Sequence, residues 1–291
     1  MLGAAFYQVF KNDYQLTCTD KDVNEPWLGF CDFRNKEDYR KSVLAASPNY
    51  LFHLGALTSL EYCEDNPEDA YRTNTLAVEY AVQIANELKI PLLYISTAGI
   101  FDGNKALYDD WDVPNPLGHY ARSKFLGEQF VQQHAHQYLI CRAGWMMGGG
   151  PAKDKKFVKK ILAQLANGAK ELHIVDDKDG TPTYTVDFAR NVKHLIEQDT
   201  WGLFNLVCGG QTSRVEVAQE ILRHFNLEKE VALIPVQSDY FKATYYAPRP
   251  ACERLVNFKL NLLQMNLMRD WKEALREYLN QDYQGFLTKN S

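Results

Sequence analysis

Thr97, Tyr120 and Lys124 bring together a hydroxyl, a phenol and an ammonium, a set able to move a proton. In Pro116-Leu117-Gly118-His119-Tyr120-Ala121-Arg122-Ser123-Lys124, a Pro/Gly turn opens a helical pattern with Tyr120 and Lys124 four residues apart. That spacing puts both side chains on one helix face. A lysine beside a phenol favours the phenolate, so Tyr120 is expected to give or take a proton near neutral pH.

The spacing alone is weak, since a chain with 17 tyrosines should contain roughly one such pair by chance. Tyr7 and Lys11 share it, yet they lie on the first helix with no strand-end hydroxyl upstream. Tyr120 differs because the apolar run Pro91-Leu92-Leu93-Tyr94-Ile95, before it, ends in Ser96-Thr97-Ala98-Gly99. A hydroxyl at the carboxyl end of a parallel strand sits where α/β sheets place their ligands.

Composition narrows the class. With 291 residues, 46% hydrophobic and 24% charged, the chain can form one large domain or a large one with a smaller companion. A net charge of −5 with scattered Lys and Arg gives no footprint for nucleic acid. Six single cysteines without a Cys-x-x-Cys pair point to reduced thiols, and hence to the cytoplasm, rather than to disulfides or zinc. His134 and His136 read as surface residues of a helix, so no metal is expected. No apolar run reaches about 18 residues, which argues against a membrane partner.

Along the chain, residues 1–10 read as a helix and Tyr14 to Asp20 as a short strand. Asp20 at its end favours NAD through the ribose, whereas Lys21 favours the 2′-phosphate of NADP, so the two point in opposite directions. Asn49 to Ala56 is a strand running into a small-residue turn, where the backbone at Gly55 and Ala56 can approach a cofactor, with Thr58 next. Asn66 is expected to cap the helix that Pro67 begins, and Asn74 lies within it. Tyr138 to Ala143 is a further buried strand. Beyond it Trp145, between glycines, is a wall for a substrate ring. Lys155 to Asn167 reads as a helix, Asp179 to Tyr184 as a turn, Gly202 to Cys208 as a strand returning to the sheet, and Ser213 as the cap of a helix through His224. Strands alternating with helices, then a shorter mixed region, predict α/β architecture: a Rossmann-like doubly wound parallel sheet with a small mixed substrate-binding cap. The expected division is residues 1–147, with 187–208 returning to them, and 148–291 as mainly the cap.

The trio Thr97, Tyr120, Lys124 resembles that of the short-chain dehydrogenase/reductase superfamily. Asn66-Pro67-Glu68 with Tyr71 and Asn74, Tyr94-Ile95-Ser96-Thr97 with Phe101-Asp102-Gly103, Arg142 with Trp145, Asp179-Gly180-Thr181-Pro182-Thr183 and Arg249-Pro250 resemble the dTDP-4-dehydrorhamnose reductase family. The resemblance implies a reductase of a keto group on a nucleotide-linked sugar, using NADP or NAD with NADPH favoured. It implies Thr97, Tyr120 and Lys124 as the catalytic set, with Ser96, Trp145 and Arg249 on the substrate. Gly3, Asp20, Lys21, Asp32, Phe33, Gly55, Ala56, Thr58, Asn74, Tyr120 and Lys124 are implied on the cofactor, Asp32-Phe33 at the adenine. Met1-Leu2-Gly3 resembles the tail of the extended family's Gly-x-x-Gly-x-x-Gly, with Gly3 as third glycine; the first strand and first two glycines are then expected upstream of this start. A homodimer fits the resemblance. The chain departs from the family at Ala98-Gly99, where an acid and a phenol are usual, and at Glu253 and Val256, where a serine and an aspartate are. A sugar-nucleotide epimerase or dehydratase, and a regulatory subunit like that of methionine adenosyltransferase, are the competing expectations.

Overall fold

The strand Leu92–Thr97 is buried along nearly its whole length, and its sequence is an apolar run rather than an alternation, as a strand covered on both faces requires. It lies inside a four-stranded sheet ordered Gly202–Asn205, Tyr138–Ala143, Leu92–Thr97, Leu51–His53. Every pairing is parallel. Parallel neighbours need crossovers; the helices Ala77–Leu88 and His119–His134 supply two of them. The carboxyl ends of the four strands, at His53, Thr97, Ala143 and Asn205, therefore share one edge. The structure, a computed structural model, describes residues 1–287. Among them no helix is long and apolar enough to cross a membrane.

Only the last part of the expected Tyr14 to Asp20 strand forms. Cys18–Asp20 pairs in parallel with Leu28–Phe30, and among the described residues this ladder does not join the main sheet. Leu51–His53 is thus an edge strand. The first helix, Leu2–Phe10, sets Phe6 and Phe10 edge-on against Phe52 of that strand, at 5.7 and 5.5 Å between ring centroids.

Two expectations are corrected. Asn66 does not cap the helix after it; its amide donates to the Tyr62 carbonyl (3.1 Å) of the preceding helix. Pro67 still opens the helix Pro67–Tyr71, which passes through a π-helical turn, Arg72–Leu76, into Ala77–Leu88. Residues 179–184 are not a turn. Asp179–Gly180 pairs with Thr212–Ser213 and with Cys252–Glu253, while Pro182–Tyr184 pairs with Trp145–Met147. Ser213 and Glu216 form the reciprocal capping box of the helix Arg214–His224, as the Ser-x-x-Glu spacing predicts. Gly202–Asn205 returns to the main sheet. One apolar cluster runs from Leu139 and Cys141 of that sheet to Leu162, Leu172 and Trp271.

The helix bearing Tyr120 and Lys124 is fixed to the sheet by a buried ion pair. Arg142 donates from Nη2 to Glu128 Oε1 (2.6 Å), from Nε to Oε2 (3.1 Å) and from Nη1 to the Asp110 carbonyl (3.3 Å). Both side chains are almost without exposure. Removing one partner strands a charge, so Glu128→Ala should lose about 3–5 kcal/mol in urea unfolding, whereas Glu128→Leu with Arg142→Met should recover most of it. A loss for Glu128→Ala as small as a surface pair gives would contradict this reading.

Candidate functional site

Thr97 ends its strand in extended backbone, and its hydroxyl accepts from the Gly99 N–H (3.1 Å) at the head of the short turn Ala98–Ile100. The helix His119–His134 starts without a cap of its own. Glu64 supplies one from a neighbouring helix, accepting from the His119 N–H at 2.6 Å. Gly118 makes this possible, because a Cβ there would stand 2.5 Å from the same carboxylate oxygen. Tyr120 is thereby held in the first turn.

Burial pushes the Tyr120 phenol up to about 12, a hydrogen bond with the Thr97 hydroxyl opposes this, and Glu253 and Cys63 add to it. Tyr120 is therefore a protonated donor at neutral pH. Lys124 is buried, and burial pulls it down to about 7 against the pull of Glu128. Its ammonium lies 4.2 Å from the Tyr94 ring centroid. The lysine expected to favour the Tyr120 phenolate thus faces the Tyr94 ring in this arrangement. The Tyr94 hydroxyl donates to the Lys124 carbonyl (2.9 Å), and Gly127 lets helix and strand come this close, since a Cβ would meet the Tyr94 oxygen at 2.8 Å. Behind Lys124, buried His53 is pulled down to about 3 by burial and by the lysine's charge.

Asn74 lies in the π-helical turn, buried. Its amide oxygen accepts from the Leu57 N–H (2.8 Å), and its nitrogen donates to the Leu57 carbonyl (3.0 Å) and to Ser123 Oγ (3.1 Å). Ser123 Oγ in turn donates to the Tyr120 carbonyl (2.9 Å). Through these bonds Asn74, expected on the cofactor, braces the helix His119–His134 against the loop after Leu51–His53.

On the other expected cofactor residues the structure divides. Phe33 lies over Gly55, where a Cβ would collide with its ring, and meets His53 edge-on at 4.9 Å. Asp32 is held below the usual carboxylate range chiefly by Arg34, which donates to it from Nε and Nη2 (2.9 and 2.6 Å). Arg34 was not singled out in the sequence, although it is only two residues on. Asp20 and Lys21 are exposed, Asp20 accepting from the Asp22 N–H (3.0 Å). Thr58 accepts from Lys156 Nζ (3.4 Å). Gly3 sits in the first turn of the first helix with open space at its Cβ position, and Ala56 is part-buried beside Gly55. The donor set fits a dinucleotide at its nicotinamide end: the buried Lys124 ammonium makes no hydrogen bond to any described residue, leaving three N–H groups for ribose oxygens.

On the substrate side, Trp145 donates from Nε1 to Glu253 Oε2 (2.7 Å), and the Arg214 guanidinium stacks 3.6 Å from the indole centroid and 4.8 Å from Phe157. Arg249 is already paired, to Glu61 (2.6 Å) and the Ala247 carbonyl (2.9 Å). Ser96, expected on the substrate, is buried with a hydroxyl that has no hydrogen bond to any described residue, and strand alternation turns it to the face opposite Thr97. Glu253 and Arg214 were missed as site residues. Glu253 stood out only as a departure from the family's serine, and the capping box located Arg214 at a helix start without indicating what it faces.

The family model described as RmlD substrate binding domain matches residues 1–284. The chain belongs to that family. It is 30% identical over 263 residues to dTDP-4-dehydrorhamnose reductase of Escherichia coli (strain K12), covering 86% of this chain and 85% of the relative. It is also 27% identical over 286 residues to methionine adenosyltransferase 2 subunit beta of Danio rerio, covering 96% and 87%. The crystal structure of dTDP-4-dehydrorhamnose reductase from Bacillus anthracis in complex with NADP superposes with a TM-score of 0.82 at 25% identity, covering 95% of each chain.

The charge on Lys124 has a measurable cost. Because its folded value lies near 7, the unfolded chain holds the extra proton from there up to the ordinary lysine range, so this site makes stability rise with pH across that window. Lys124→Met should therefore stabilise the cofactor-free protein by a few kcal/mol at about pH 6, the gain fading as pH rises. Urea unfolding over a pH series reads this, and a gain that does not vary with pH would contradict it.

Proposed function

We propose that this chain is an NAD(P)H-dependent reductase of a keto group on a nucleotide-linked sugar. The observation that carries the reading is the protonated Tyr120 phenol hydrogen-bonded to Thr97 at the carboxyl edge of a parallel sheet, with the uncommitted ammonium of Lys124 one helical turn away. Bound NADPH or NADH would supply hydride to the carbonyl carbon. Tyr120 gives its proton to the carbonyl oxygen, and Thr97 donates a hydrogen bond to that oxygen. Lys124 holds the nicotinamide ribose; acceptors there favour its charged form, which then steadies the phenolate left on Tyr120. Phe33, Gly55, Asp32 and Arg34 form the adenine end, where Arg34 with Lys21 suits a 2′-phosphate. Trp145 walls the sugar.

In this reading residues 1–147, with 187–208, carry the cofactor and 148–291 mainly the substrate. The substrate partner is the sugar nucleotide, the place is the cytoplasm, and a homodimer is the assembly. Net consumption of NADPH separates a reductase from an epimerase, which returns its hydride. The relationship to the Danio rerio subunit favours a regulatory subunit as the second reading; it calls for co-purification with a larger enzyme and no NADPH-linked reduction.

General acid catalysis contributes about 10²–10⁴ in rate, so Tyr120→Phe should lose that factor in turnover while NADPH binding, followed by fluorescence, is kept. Full turnover in the variant would overturn the assignment.

A further inference from the structure

Glu253 comes to the reaction centre by backbone pairing. The ladder sets it opposite Gly180, and the indole of Trp145 occupies the space that a side chain on Gly180 would fill. That places the indole N–H on Glu253 Oε2. The other oxygen, Oε1, makes no hydrogen bond to any described residue. It points into the catalytic corner: a Cβ built on Gly99 would lie 3.2 Å from Oε1, 3.5 Å from Thr97 Oγ1 and 3.9 Å from Tyr120 Cε1. The half-buried carboxylate thus presents a free acceptor beside the two hydroxyls that would hold the reacting oxygen.

A bare carboxylate there opposes the chemistry, because it repels the negative charge that builds on the carbonyl oxygen. Its presence is accounted for if a donor covers it once substrate is bound. Arg214, flat on the same indole and without a hydrogen bond to any described residue, offsets its charge. A protonated amine would face the carboxylate and this guanidinium together, whereas a neutral hydroxyl meets only an acceptor in need of a donor. Resting on the reductase reading, we infer that Glu253 is a specificity-determining residue whose free oxygen accepts a hydrogen bond from a hydroxyl on a carbon flanking the reacting carbonyl. A sugar lacking that hydroxyl leaves the oxygen desolvated and unpaired. Sites built around a substrate hydroxyl reject such analogues strongly; because Glu253 is only half-buried, the expected discrimination is about 100-fold.

The test compares reduction of dTDP-4-dehydrorhamnose with that of its 3-deoxy analogue by the unaltered chain, E253A and E253Q. The unaltered chain should prefer the hydroxylated sugar by about 100-fold in kcat/KM, and E253A should lose the preference, falling on the hydroxylated sugar while the 3-deoxy analogue, relieved of a bare carboxylate, holds or gains, with NADPH affinity unchanged. E253Q, which keeps one acceptor and the shape, should retain part of the preference and serves if E253A does not fold. Equal loss on both sugars, or no preference in the unaltered chain, overturns the inference. If neither sugar is reduced, the reductase reading falls for this sugar by itself. Calorimetric binding of dTDP-rhamnose and its 3-deoxy analogue then decides on Glu253: a preference abolished by E253A upholds it, and equal binding overturns it.

Discussion

A guanidinium and a carboxylate closed off from water between helix and sheet set the constraint on which the site depends. Arg142 leaves its strand and Glu128 its helix with almost no exposure, and the pair is further tied to the Asp110 carbonyl. Two desolvated charges gain little stability over a well-packed apolar pair, but they tolerate very little displacement. Any roll of the helix His119–His134 would open the pair, and Tyr120 and Lys124 ride on that helix. Glu128 also lies one turn from Lys124, where its charge limits how far burial can strip the lysine of its proton. The same residue therefore holds that helix in place and moderates the ionisation of its lysine.

Desolvation is the largest influence on each titrating member of the site. It raises Tyr120, lowers Lys124, lowers His53 and lowers Arg214. All four shifts run toward the neutral form; Thr97 moderates that of Tyr120 and Glu128 that of Lys124, while Glu253 moderates that of Arg214 and adds to that of Tyr120. In the chain alone Tyr120 and His53 are therefore neutral at neutral pH. A polar ligand entering it meets donors and acceptors whose water has already been removed, which strengthens each contact it makes.

Much of this could be read from the sequence where local patterns carry the information. The apolar run before Ser96-Thr97, the four-residue spacing of Tyr120 and Lys124, and the Ser213/Glu216 capping box each depend on near neighbours, and each formed. Asn66 was misread because its pattern suits a cap equally well when the amide turns back to Tyr62. The short strands at Asp179–Gly180 and Pro182–Tyr184 arise from partners far along the chain, so a Gly/Pro-rich stretch gave no local sign of them. The Trp145–Glu253 contact spans 108 positions, and Arg214 joins it from a third element. Only the packed fold brings those three together. The role of Asn74 stayed ambiguous for a similar reason, since one buried amide in a helix fits a brace or a ligand contact equally well.

The π-helical turn at Arg72–Leu76 sets the geometry of that brace. Such a turn is an α-helix carrying one surplus residue. Deleting that residue would swing the upstream segment by about 100° relative to Ala77–Leu88. Asn74 would then leave both Leu57 and Ser123, and the first turn of the helix His119–His134 would lose its inner support. Length at this point therefore matters more than the identity of the exposed residues: one residue lost from the turn would disconnect the loop at Leu57 from the helix that carries Tyr120.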